Sequence, residues 1–81
     1  MTEQSPAHDL DQLQLNGAGL RQRLAEVAAS LACTEDHVAE TMERMALALP
    51  YDAVRLRAHA ARARRNAALE RNRAATFSLP R

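Results

Sequence analysis

Isoleucine, tryptophan and lysine are absent from this 81-residue chain, which also holds only one cysteine, two glycines, one tyrosine and one phenylalanine. Each shortage excludes something. The lone thiol, Cys33, forms no internal disulfide, and a structural zinc would need three more ligands of the right kind. Such cysteine usage fits a reducing compartment. Two glycines cannot build a phosphate-cradling loop and still serve the turns, and so short a chain encloses little water-free volume for catalysis. Two rings, Tyr51 and Phe77, leave nothing to stack a series of bases on. No apolar run approaches the ~20 residues that span a bilayer, and the polar, acidic stretch Met1 to Asp11 lacks the apolar segment of a signal peptide. The expectation is a cytoplasmic, non-enzymatic protein with no catalytic residue, no metal, no cofactor and no membrane partner.

What the chain does have is alanine, 18 of its 38 apolar residues. The remaining core material is eleven leucines, three valines, three methionines and the two rings. A domain of this size buries only about 60–65% of its unfolded surface and is marginal alone, so association with a second copy or with another macromolecule is expected to complete it. With every basic residue an arginine, the composition looks like that of a bacterial chain with a GC-rich coding bias.

A net charge of +1 hides an asymmetry. Residues 1–49 carry a net −5 and residues 50–81 a net +6. The basic end therefore asks for an acidic partner, whether nucleic acid, another protein or the chain's own acidic half.

Helix formers dominate and no β-branched alternation occurs, which gives an all-α class. The spacing predicts a small bundle of three to four helices with a long arginine-rich C-terminal helix. Ser5-Pro6 opens a short helix through Leu15, with Asn16-Gly17 as its stop. Leu20, Leu24, Val27, Ala28 and Leu31 make the buried stripe of a second helix. Thr34 caps a third, running to Ala48, with Val38, Met42, Met45 and Leu49 as its apolar face flanked by Ala39 and Ala46. Pro50 breaks that helix and starts the next, which runs from Tyr51 to about Ala75 without glycine or proline. The organisation is thus a leader over 1–17, a helical hairpin over 18–49, a basic helix over 50–76 and a tail over 77–81.

Two apolar stripes run along the basic helix. One collects Tyr51, Val54, Ala58, Ala61, Ala68 and Leu69, the other Leu56, Ala60, Ala63, Ala67 and Ala74. Between them lie Arg57, Arg64 and Arg71 at seven-residue spacing on one side and Arg55, Arg62 and Arg73 on the other. One stripe is expected on the protein's own bundle and the other on a second chain, because alanine seams let helices approach closely.

The pair of helices over Leu24 to Glu43 resembles the helix-turn-helix of phage-type repressors. Val27, Ala28 and Leu31 stand at its first-helix core positions, Ala32 at the turn and Val38 at the first buried site of the second helix. The resemblance implies that Thr34, Glu35, Asp36, Ala39, Glu40 and Glu43 would face the groove. Four carboxylates among phosphates are repulsive, so Glu35, Asp36, Glu40 and Glu43 suit better a docking face for a basic partner. Further on, Arg71-Asn72-Arg73-Ala74-Ala75 resembles a fragment of the basic region of leucine-zipper transcription factors, one residue short in spacing and with no leucine heptads after it.

Two functions remain in view. The first is a regulatory or adaptor protein that pairs with itself and with an unidentified protein, through Met42, Met45, Val54 and Leu56. The second is a bacterial transcription regulator that sets Arg55, Arg57, Arg62, Arg64 and Arg71 on nucleic-acid phosphates.

Overall fold

The computed structural model describes residues 6–79, with side chains from residue 17 onward. It is an antiparallel pair of helices: α1 over Pro6–Ala48, a 3-10 turn over Pro50–Asp52, and α2 over Ala53–Ser78. The all-α class holds, but with two helices rather than three to four. The shape is a rod of 70 × 26 × 12 Å. Its radius of gyration of 20.4 Å compares with about 12 Å for a compact domain of this length.

Two expected breaks are absent. Asn16-Gly17 does not end a helix, and neither Gly17 nor Gly19 has a positive φ. Thr34 does not cap a new one: its hydroxyl donates to the Ser30 carbonyl, 3.1 Å away and one turn back. That bond lies inside a continuous helix, where a threonine hydroxyl reaches back to the i−4 carbonyl. Stop and start signals contribute about 1 kcal/mol each. Here they lose to the good helix formers on either side of them. The stretch read as a helical hairpin over 18–49 is therefore part of one continuous helix with its exit turn, and the resemblance to a helix-turn-helix fails for want of a turn at Ala32-Cys33.

Pro50 acts as expected. Leu49 leaves the helical region at φ −124° and ψ 77°, Pro50 opens the 3-10 turn, and the Ala53 N–H donates to the Pro50 carbonyl as α2 begins. Proline lacks an N–H to continue α1 and has its φ preset for a helix start. The chain thereby reverses within a few residues, between Ala48 and Ala53.

The core is almost entirely alanine. Ala25, Ala28, Ala32, Ala39 and Ala46 of α1 are buried against α2, which contributes Ala53, Ala60, Ala63, Ala67 and one larger residue, Leu56. Seven of these, Ala25, Ala32, Ala39, Ala46, Ala53, Ala60 and Ala67, follow one another at a strict spacing of seven that passes through the turn without losing phase. A seven-residue repeat is the period of a coiled-coil seam, and the small side chain lets the two axes come to the near end of the ~8–10 Å range for packed helices. Met42 lies between two local clusters, one of Ala39, Ala60 and Ala63 and one of Ala46, Ala53 and Leu56.

This core differs from the expected one. Leu20, Leu24, Val27 and Leu31, and with them Val38, Met45 and Leu49, are exposed rather than buried. Large aliphatics at these positions would hold the helices apart, whereas the alanine row one residue along allows close contact. On α2 the stripe of Leu56, Ala60, Ala63 and Ala67 is the buried one, while Tyr51, Val54 and Leu69 face outward.

Candidate functional site

Two flanks border the alanine seam, and they differ in chemistry. Asp36 and Glu43 stand four residues after Ala32 and Ala39. Arg64 and Arg71 stand four after Ala60 and Ala67, on the matching flank of α2. Heptad geometry in an antiparallel pair sets these rows side by side. Arg64 donates to Glu43 from Nε at 2.9 Å and from Nη2 at 2.5 Å, and Arg71 donates to Asp36. The Arg71 hydrogen bond holds the Asp36 carboxyl below the usual carboxylate range and raises the Arg71 guanidinium in turn.

This pairing accounts for part of the charge asymmetry. Of the proposed acidic docking face, Asp36 and Glu43 meet the chain's own arginines, Glu40 lies 3.7 Å from Arg44 within α1, and Glu35 is half-buried. Of the arginines proposed for phosphate, Arg64 and Arg71 are held across the seam and Arg55 lies 3.6 Å from Asp52. Arg62 Nη2 lies 2.7 Å from His59 Nδ1, one turn earlier on α2. Arg57 has no ion pair among the described residues; it lines an open depression of about 430 Å³ with Glu43, Leu47, Ala60, Ala61 and Arg64.

The other flank is apolar on α1. Leu24, Leu31, Val38 and Met45 each precede a buried alanine by one residue, at seven-residue spacing. Leu20, Val27, Thr34 and Thr41 fall between them, so the stripe alternates steps of three and four. That is the pattern of a helix seam in its own right. The six aliphatic members remain 38–58% exposed, and Thr34, Val38 and Thr41 share a shallow groove with His37 and Met42. Contiguous apolar patches beyond a few hundred Å² are uncommon on monomeric soluble proteins.

The outer rim of that strip is basic: Arg23, His37 and Arg44 each precede a member of the Leu24, Leu31, Val38 and Met45 row by one position. Glu40 is 3.7 Å from Arg44, and Glu35 lies on the seam side. On the α2 side, the flank opposite Arg64 and Arg71 carries His59 nearest the seam, with Arg55 and Arg62 behind it.

Among the four expected apolar contacts, the structure separates two from two. Met45, a member of the strip, and Val54, 82% exposed on α2, are available to a partner. Leu56 is 3% exposed and belongs to the hairpin's own core, and Met42 is half-buried over it. Sequence reasoning had the strip's members but assigned them inward. The missed signal was the alanine repeat, which competes for the same helix face one residue along. Cys33, expected as a small core residue, is exposed.

No group of three or more histidine, cysteine, aspartate or glutamate side chains among the described residues is arranged to hold a metal ion. Among those residues, no helix is long and apolar enough to cross a membrane. Compared with known proteins, the chain matches no family model, no curated protein and no solved structure.

Proposed function

We propose that this protein is a non-enzymatic adaptor, a two-helix receptor that binds an amphipathic helix on the Leu20–Met45 strip of α1. The observation that carries this reading is the strip itself: aliphatic side chains at helix-seam spacing, exposed along a rod whose own seam is already closed by alanine. A helix laid in such a groove is read through anchors at three- and four-residue steps. The basic outer rim favours a helix whose polar flanks are acidic, because like charges along the contact disfavour wrong partners.

The test uses two synthetic helices with the same leucine seam, one flanked by glutamates and the other by lysines. The acidic helix is expected to bind with micromolar affinity and to lose at least tenfold when Val38 is changed to aspartate, about 1.4 kcal/mol per decade. Equal binding of both helices, or of neither, would sink the reading.

Regulation through nucleic acid is the second reading, and the basic excess of residues 50–81 favours it. It would rest on Arg57 and on arginines freed from Glu43 and Asp36. Anisotropy of a mixed-sequence duplex at low and near-physiological salt separates the two. Binding that weakens steeply with salt would support phosphate contact; a flat trace at both salts leaves α2 as a protein-facing element.

A further inference from the structure

The rod exposes 6604 Å², against roughly 4,800 Å² for a compact monomer of 8.9 kDa. An excess of that order is about twice the surface that a standard protein interface removes from each partner. Buried alanine contributes about 0.8 kcal/mol per methyl-sized group, against ~1.5–3 kcal/mol for a buried leucine or valine. The larger aliphatic groups of α1 are therefore the ones still lacking a partner.

The acidic helix that the strip's basic outer rim calls for is present in the chain. α1 begins at Pro6 and extends well beyond the end of α2, since the pairing of Asp36 with Arg71 leaves only seven residues of α2 to run alongside the rest of α1. In sequence, Leu13 stands seven residues before Leu20, and Leu10 seven before Gly17, continuing the stripe's steps of three and four. Asp9 and Asp11 flank them.

Resting on the reading of the strip as a helix receptor, we infer that its occupant is α1 of a second copy, antiparallel, with the two-fold axis level with Ala25 and Glu26. This register sets Leu10 opposite the partner's Thr41, Leu13 opposite the partner's Val38, Leu20 opposite the partner's Leu31 and Leu24 opposite the partner's Val27. Self-complementarity of this kind is what a closed two-fold interface requires. Charge selects this register from its neighbours. It brings Asp9 beside the partner's Arg44 and Arg23 beside the partner's Ser30. A shift of one heptad in one direction sets Arg23 beside the partner's His37, and in the other direction Arg23 beside the partner's Arg23. Both shifts also separate Asp9 from the partner's Arg44. The pair of hairpins forms a four-helix assembly in which each acidic N-terminal stretch of α1 lies along the basic-rimmed strip of the other copy.

Sedimentation equilibrium of the full chain from low to high micromolar concentration tests this. The expected result is a reversible dimer at twice the 8.9 kDa chain mass. Leu31→Asp should give a monomer whose helicity by circular dichroism is unchanged, because Leu31 lies outside the alanine seam. Should Leu31→Asp unfold, the charge swap decides. Arg44→Asp is expected to weaken self-association about tenfold, and adding Asp9→Arg to it should restore most of the loss. A wild-type monomer at every concentration overturns the inference, as does a dimer indifferent to Leu31→Asp. A dimer that the charge swap does not rescue overturns the register. A monomer that still binds the glutamate-flanked helix overturns self-pairing while leaving the receptor reading in place.

Discussion

Two rows of α1 run in parallel, one residue apart, and do opposite things. Ala25, Ala32, Ala39 and Ala46 are at most 8% exposed and close the hairpin, while Leu24, Leu31, Val38 and Met45 are at least 38% exposed and close nothing within the chain. By hydrophobicity alone the second row should be the core. Here geometry reverses the order: the row that permits the nearer backbone approach forms the seam, and the bulkier row is left exposed. A helix with two adjacent apolar rows is suited to a larger bundle than a single chain provides.

Substituting neighbours tests the contrast most severely. Ala39 is fully buried against Ala60 and Ala63, so Ala39→Leu overpacks the seam and should cost about 2–3 kcal/mol. A drop in thermal midpoint of many degrees should follow, since 1 kcal/mol shifts a domain of this size by about 4–8 °C. Val38→Leu, one residue away, should leave the melt of a dilute, monomeric sample nearly unchanged. Similar effects of the two substitutions would erase the distinction between the rows.

The methionines offer a milder version. Met42 packs on both alanine clusters, whereas Met45 stands on the open strip. Met42→Ala should destabilise the hairpin by about 1–2 kcal/mol, toward the lower end for partly buried methionine. Met45→Ala should cost no more than about 0.5 kcal/mol in urea unfolding of the monomer, as for a surface position.

Smaller still are the charges of the opposite flank. A double-mutant cycle on Glu43 and Arg64, each changed to alanine, should return a coupling of about 0.2–1 kcal/mol, because both side chains are about half exposed. For Asp36 the expected effect is a pH dependence. The Arg71 hydrogen bond depresses its folded pKa below the ordinary 3.8. The stabilisation is therefore complete above the unfolded pKa and is lost as pH falls through the folded one. Thermal melts between neutral pH and pH 2 should show a shallower acid limb for Asp36→Asn than for the natural chain. Superimposable limbs would mean that the Arg71 contact contributes nothing to folding.

The sequence reveals these features unevenly. The helical class and the turn at Pro50 were legible, because proline allows few alternatives. The spacing on α2 gave two apolar stripes, of which only the structure shows that Leu56, Ala60, Ala63 and Ala67 form the buried one. On α1 the same repeat lay beneath larger residues. Alanine is both the best helix former and the smallest seam residue, so its presence at Ala39 reads equally as propensity or as packing until a second helix is placed against it. Asn16-Gly17 and Thr34 suggested ends that the backbone does not take, since local signals of about 1 kcal/mol do not settle the fate of a long helix. The arginine rows were visible, but which of them would meet Asp36 and Glu43 depended on the hairpin register. The strip that became the candidate site was seen as a pattern and placed on the wrong side of the surface.

Methyl NMR on alanine- and valine-labelled protein in the Leu31→Asp background, where self-pairing is blocked, tests the central claim most directly. Cross-peaks from the Ala39 methyl to those of Ala60 and Ala63 are expected, with none from the Val38 methyls to any alanine of α2. Cross-peaks joining Val38 to α2, with Ala39 silent, would contradict the alanine seam and with it the exposed strip on which the proposed function depends.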